Sequence, residues 1–452
     1  MKNSGKTIIK FAMTLILPVL IILTLPFELS QDQALTLAGV ILVVSWWASK
    51  IIHMSISALF LIAFFFLFTD TPALQILRFP LSNIFLLLIA ATLLCEGITR
   101  SGLSARISHA ILYRFGYTGL RLIALPFLID FVLIFFIPQP FPRIILLSAI
   151  YLQFLKPLSL KKETISVIMF SIFVAATGTS MAFLSGDIVL NNLVMEFADI
   201  SLTWIEWAIY MAIPSIIICL LLFLGYVLVF GREVKDLQIK KSASPKSSPM
   251  TSKEKKSLYI LIMVTGLWIT EPLHGLDTAY AGLLGVFLMF LTQLISFKDF
   301  KAVNLHLIIF LTAAFAIGET LTHTGAAQGI FSHLLEFMPK DESFLYLPFL
   351  LLIVMGLHMV IGSSVTTLAV ALPGIMMIGG NNIHPVALTM MVYTATNLHY
   401  LIPFHHVTIM IGEREGYYEN RHVLRLGLLL TVLVFIAIYL VQIPWWNLIG
   451  LL

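Results

Sequence analysis

Residues 83–109, NIFLLLIAATLLCEGITRSGLSARISH, can be laid on residues 306–333, HLIIFLTAAFAIGETLTHTGAAQGIFSH. Glu96 falls on Glu319, Thr99 on Thr322, Gly102 on Gly325, and His109 on His333 after a one-residue slip. Each stretch is a long apolar run that ends in a glutamate followed by T-x-x-G. Apolar composition alone does not produce that ending, so the pair marks an internal repeat with an offset of about 223 residues, roughly half the chain.

The rest of the sequence fits two membrane-embedded halves. The chain has 452 residues, 59% hydrophobic and 11% charged, with a mean hydropathy of +1.00. Soluble domains carry about 25% charged residues, so this composition excludes a water-soluble enzyme. Further apolar runs lie near 8–27, 34–49, 52–69, 122–137, 144–155, 164–190 and 205–230, and again near 257–270, 278–297, 345–361, 368–378, 384–412 and 424–443. Most approach the roughly 20 residues that cross a bilayer. The first run follows Lys2, Lys6 and Lys10 and has no small-residue cleavage site ahead of Glu28, which predicts a retained membrane helix. Cys95 and Cys219 both fall in apolar runs, so neither a structural disulfide nor a cysteine metal site is expected. The net charge of +4 comes from loop residues and is no signal for nucleic acid.

One stretch is plainly polar: Gly231 to Lys256, containing KDLQIKKSASPKSSPMTSKEKK. Its Ser, Pro and Lys content predicts a linker at 231–257 between an N-terminal half, 1–230, and a C-terminal half, 258–452. Loop charges orient the halves. Arg100, Arg106, Arg114 and Arg121 follow the first repeat helix, whereas the equivalent loop of the second half carries Glu336, Asp341 and Glu342 against Lys340. Lys156, Lys161 and Lys162 face an uncharged counterpart, IGGNNIHP. At the third pair the sign reverses: Glu196, Asp199 and Glu206 against Arg414, Arg421 and Arg425. By the positive-inside rule, matching loops lie on opposite sides of the membrane, so the repeat is inverted. The expectation is an all-α polytopic inner-membrane protein with about 11 transmembrane helices, a cytoplasmic N-terminus and linker, and an external C-terminus.

Two segments do not read as ordinary spans. Residues 122–155 are broken by Pro138, Pro140 and Pro142, and their repeat mate, 345–378, by Gly362, Ser363 and Ser364. Both read as re-entrant hairpins, whose irregular tips are tolerated at membrane depth only where they line a cavity. Free backbone N–H groups at such tips favour an anion. The second tip adds hydroxyls from Ser363, Ser364, Thr366 and Thr367. The first carries Arg143, which either sits deep, where its guanidinium could hold a carboxylate in a fork, or snorkels to the interface. Asp187 is its candidate counter-ion.

Each hairpin is followed by an interrupted span. In 164–190 the break holds Thr177, Gly178, Thr179 and Ser180, then Ser185, Gly186 and Asp187; in 384–412 it holds Thr394, Thr396 and Asn397, then Pro403, Phe404, His405 and His406. His405 and His406 could shuttle protons or hydrogen-bond the broken backbone. Adjacent positions face different sides of a helix, so they are poorly placed to chelate a metal together. No nucleotide-binding motif is present, so ATP hydrolysed by this chain is not the driving force.

With these residues in place the chain resembles the divalent anion:sodium symporters, the dicarboxylate, citrate and sulfate carriers of the ion-transporter superfamily. The resemblance covers nearly the whole layout and is strongest in GSSVTTLAVALP and TATNLHYLIPFHHVTIMIG; ATGTSMAFLSGDIVLNN is the first-half counterpart. It implies a scaffold that dimerises, a transport unit holding the hairpins, and elevator-type alternating access. The implied substrates are di- or tricarboxylates, then oxyanions such as sulfate; a cation/proton antiporter or an arsenite-type exporter of similar architecture is the alternative. The family's Ser-Asn-Thr motifs bind substrate and build sodium sites. Here the second reads Ser363-Ser364-Val365, and the first, by repeat alignment, Pro140-Phe141-Pro142 with Arg143 next. The expected substrate residues are Arg143, Thr179, Ser180, Ser363, Ser364, Thr366, Thr367, Asn397, Pro403 and His405. Asp187, His405 and His406 are the coupling candidates, with a sodium ion placed near Gly362, Ser363 and Asn397. Because the first motif is lost, Arg143 is expected to stand in for a bound cation, leaving an exchanger or a proton-coupled carrier with no other cofactor.

Overall fold

A backbone inside a bilayer must satisfy its own hydrogen bonds, and the apolar runs do so as helices. The computed structural model describes residues 2–49, 51–239, 249–335, 337–339, 343, 345–379 and 382–452. Among them every regular element is helical. Among the described residues five helices are long and apolar enough to cross a membrane: Asn83–Ser101, Pro140–Leu158, Trp204–Val234, Leu305–His323 and Asn420–Leu448. Six apolar helices among the described residues are shorter, Tyr346–Ile361 and Ser364–Gly379 being two of them. The acids and lysine expected at 336 and 340–342 lie outside the described residues, as do the middle of the linker, 240–248, and residues 380–381 of IGGNNIHP.

The two segments aligned in sequence adopt the same local structure. Helix Asn83–Ser101 stops at Gly102, φ +84°, before helix Leu103–Phe115. Helix Leu305–His323 stops just before Gly325, φ +71°, ahead of Ala326–Leu335. The T-x-x-G ending supplies the residue for which a left-handed conformation costs least. Each pair is followed by a helical hairpin, a span interrupted by a 3-10 turn, and a long helix. The final helix, from Asn420, widens to a π turn over Ala437–Gln442. Pro444 lies just beyond it, where its missing N–H and its ring displace the ordinary i→i−4 ladder.

Residues group into two compact units, each drawing on both halves of the sequence. One contains 1–85, 194–200 and 304–396. In it Met54–Phe68 packs on Leu305–His323, which also carries Ser364–Gly379. Ser55 Oγ meets His306 Nδ1 at 2.8 Å, and the Trp47 indole donates to Ser57 Oγ at 2.8 Å. Arg78 joins Glu319 and Glu196.

The other unit contains 86–193, 201–303 and 397–452. Its core is Lys162–Thr179, buried from Ser166 to Thr179 and packed by Gly119–Leu133, Pro140–Leu155 and Trp204–Val234. Gly178 permits the closest approach, since a Cβ there would lie 2.6 Å from Leu222 and 3.0 Å from Cys219. Arg100 joins Glu96 to Asp299.

The linker is shorter than its composition suggests. Helix Trp204–Val234 runs into it, and Ser252–Ile269 begins before it ends. Its first residues are docked, with Gly119 N donating to Leu237 O at 2.9 Å and Ile239 N to Tyr117 O at 3.0 Å. At its far end Thr251 and Glu254 form a reciprocal cap. Arg106 grips Glu254 at 2.7 and 2.9 Å, which holds this carboxyl down at about 2 in the charged turn ahead of the apolar run.

Candidate functional site

The first hairpin consists of helices Gly119–Leu133 and Pro140–Leu155. Only Pro138 of the three prolines lies in the break. Pro140 and Pro142 occupy the first turn of the second helix, where a missing N–H costs nothing. Arg143, one residue further, is 0% exposed. It does not snorkel, and its partner is Asp130 rather than Asp187: Nε donates to Asp130 Oδ1 at 2.9 Å. Nη1 donates to the carbonyls of Ile137, 2.9 Å away, and Gly186, 2.8 Å away. Thr179 Oγ1 donates to the second oxygen of Asp130. Nη2 has no hydrogen-bond partner among the described residues.

The guanidinium thus binds orphan carbonyls from two helix breaks, and a buried carboxylate balances its charge. Asp187 serves a different purpose. Its Oδ1 accepts from Leu190 N at 3.1 Å and caps helix Ile188–Phe197. Asp130 escaped the sequence reading although it is the single charge in the run 122–137. An ionisable residue in the same hairpin as an arginine was the available signal.

The break after Thr179 is organised by Asn191, whose Nδ2 donates to the carbonyls of Ser180 and Phe183, both at 3.0 Å. The 3-10 turn Leu184–Gly186 folds tightly back on Ser180. A Cβ at Gly186 would sit 2.3 Å from Ser180 O and 2.8 Å from its carbonyl carbon, both backbone atoms. Gly186→Ala is therefore expected to shift the carbonyl that binds Arg143 and to destabilise the fold by about 1–3 kcal/mol. Thermal unfolding of the purified variant checks this; an unchanged midpoint would mean the turn is freer than its geometry.

The second interrupted span contains helix Pro385–Leu398, the turn Pro403–His405 and helix Val407–Arg414. Asn397 Nδ2 donates to Thr177 O at 2.7 Å, and Ser180 Oγ donates to the same carbonyl at 3.0 Å. His406 Nε2 lies 3.0 Å from Asn397 Oδ1. An amide oxygen only accepts, so His406 Nε2 is the donor in this pair. Nδ1 has no partner among the described residues. His405 Nδ1 accepts from Leu401 N at 3.3 Å, and the ring is fully buried.

Arg143, Thr179, Ser180, Asp187, Asn397, Pro403, His405 and His406 thus belong to one unit. Gly362, Ser363, Ser364, Thr366 and Thr367 belong to the other. There Gly362, φ +70°, ends helix Tyr346–Ile361. Ser363 Oγ accepts from Thr366 N at 3.4 Å and caps the second arm of the hairpin, and Thr366 Oγ1 donates to Ser363 Oγ at 3.2 Å. Ser364, Thr366 and Thr367 are buried. No cluster of three or more His, Cys, Asp or Glu side chains is placed to hold a metal among the described residues.

Comparison with known proteins gives a family match over nearly the whole chain. Residues 5–452 match the family described as "Sodium:sulfate symporter transmembrane region". The "Putative malate transporter YflS" of Bacillus subtilis is 24% identical over 236 residues, 48% of each chain. The "Inner membrane protein YbhI" of Escherichia coli is 23% identical over 225 residues, 47% of each chain. "Dicarboxylate transporter 1, chloroplastic" of Spinacia oleracea is 25% identical over 138 residues, 30% of this chain and 23% of its own. The chain thus spans about half the length of the first two relatives.

Proposed function

This chain belongs to the sodium:sulfate symporter family, and from that premise we propose that it is a secondary active carrier of small anions, chiefly di- or tricarboxylates. The names of two relatives, a malate and a dicarboxylate transporter, support the carboxylate class. The family description keeps sulfate as the second reading. The carrier works by elevator-type alternating access, as a homodimer in the inner membrane, and catalyses no reaction.

One observation supports a particular form of coupling: the oxygen cage around Arg143. Two backbone carbonyls, a carboxylate and, through that carboxylate, a threonine hydroxyl surround a buried positive charge. Such a donor set suits a hard monovalent cation as well as a guanidinium. Here a tethered cation fills it permanently, so this position takes no sodium from solution. Nη2, which no described protein group takes, is the part of the guanidinium that receives a substrate carboxylate when the hairpin tip opens.

Uptake of labelled malate into proteoliposomes tests this. Internal unlabelled malate or a proton gradient is expected to drive uptake with choline in place of sodium. A strict sodium requirement would overturn the coupling scheme, whereas transport of sulfate with no response to any carboxylate would overturn the substrate class.

A further inference from the structure

We propose that the cavity beside Arg100 is a binding site for the headgroup of an anionic bilayer phospholipid. The cavity, about 290 Å³, is lined by Arg100, Ser101, Lys253, Gln293, Ser296 and Asp299, together with Leu294 and Ile295. All of these residues belong to one unit.

Its charges are unequally committed. Asp299 is buried, accepts from Ser296 N at 2.7 Å and faces Arg100. Glu96 takes Arg100 Nε at 2.6 Å. Glu254, next to Lys253 in sequence, is held by Arg106. Lys253 itself is exposed and ion-pairs with no carboxylate among the described residues. Lys298 and Lys301 are exposed on the segment that follows the cavity wall. The surplus at the cavity mouth is therefore positive, and the Gln293 amide stands alongside as a further donor to a phosphodiester, whereas the Ser101 and Ser296 hydroxyls are spent on Ile98 O and Asp299.

Apolar surface indicates where the ligand comes from. Segment Phe297–Ala302, FKDFKA, joins helix Thr278–Leu291 to the next span. Phe297 is 84% and Phe300 43% exposed. Their rings group with Phe290 at centroid distances of 5.1, 6.2 and 6.4 Å. Aromatic residues alternating with lysines beside a polar cavity match the headgroup level of a bilayer, where rings meet acyl chains and lysines meet phosphate. A free phosphate ion would leave the rings in water.

The turn into the cavity is also specialised. Helix Thr278–Leu291 ends in a Schellman arrangement, Leu294 N to Met289 O at 2.9 Å and Gln293 N to Phe290 O at 3.0 Å. Its left-handed position, φ +59°, carries Gln293 instead of glycine. The strain is tolerated at a place that brings an amide side chain to the cavity wall.

The test is thermal unfolding of the delipidated full-length protein titrated with short-chain phosphatidylglycerol, phosphatidylcholine or inorganic phosphate. Phosphatidylglycerol alone is expected to raise the midpoint. Lys253→Glu is expected to weaken that response roughly tenfold through charge reversal at a surface site, while leaving the lipid-free midpoint unchanged because Lys253 is exposed. Phe297→Ser is expected to weaken it as well. An equal response to phosphatidylcholine, the same response to phosphate, or an unaltered titration in Lys253→Glu would each overturn the proposal.

Discussion

Arg143→Ala is expected to lower stability by about 3–5 kcal/mol and to abolish transport, because it strands Asp130 as an unpaired buried charge. Both side chains are 0% exposed, so the carboxylate loses its charged partner in surroundings far less polar than bulk water. The carbonyls of Ile137 and Gly186 lose their donor at the same time. The double variant Arg143→Met with Asp130→Asn removes both charges and is expected to recover more than half of the lost stability, without transport. If the cage is a cation site occupied by a tethered charge, emptying it exposes its oxygens to solution ions. Sodium chloride, but not choline chloride, is then expected to raise the unfolding midpoint of Arg143→Ala by mass action, with no such difference in the parent protein. An Arg143→Ala variant as stable as the parent would show that the guanidinium does not brace the breaks.

Asn397→Ala is expected to cost about 2–3 kcal/mol. The amide meets two partners that point in opposite senses, Thr177 O as acceptor and His406 Nε2 as donor. Truncation leaves the imidazole N–H without an acceptor and the carbonyl with Ser180 as its remaining donor, each loss falling in buried surroundings. A double-mutant cycle with His406→Ala isolates the shared bond and is expected to return a coupling of about 1 kcal/mol. Additive losses in the melting data would mean that His406 and Asn397 stand side by side without depending on each other.

Much of the fold was legible because its determinants are local. Long apolar runs, glycine after T-x-x, and Pro or Gly-Ser-Ser inside a run act through helix propensity and backbone geometry within a few residues. The chain breaks its helices at 134–139 and at Gly362–Ser363, both inside the segments read as hairpins. The polar linker was overextended in the sequence reading because Ser, Pro and Lys describe solvation, whereas helices Trp204–Val234 and Ser252–Ile269 extend charged turns past the apolar core.

The site was less legible because its chemistry is a matter of facing. Asp187 lies in the polar break that follows the hairpin and was the expected counter-ion, yet it is spent on a helix cap. Asp130, on the opposite arm of the hairpin, is brought to the guanidinium by the packing of Gly119–Leu133 and Pro140–Leu155 on Lys162–Thr179. The hydroxyls of GSSVTT read as a set of ligands, but Ser363 and Thr366 bond each other at the start of a helix.

By itself the sequence determined that this protein is a helical membrane protein with interrupted apolar runs, since the cost of burying an unsatisfied backbone in lipid leaves few alternatives. It also raised Arg143 as the residue to explain. Only the tertiary structure decided what Arg143 binds, because neutralising a buried charge depends on which carboxylate and which orphan carbonyls packing brings within 3 Å, and no local rule encodes that.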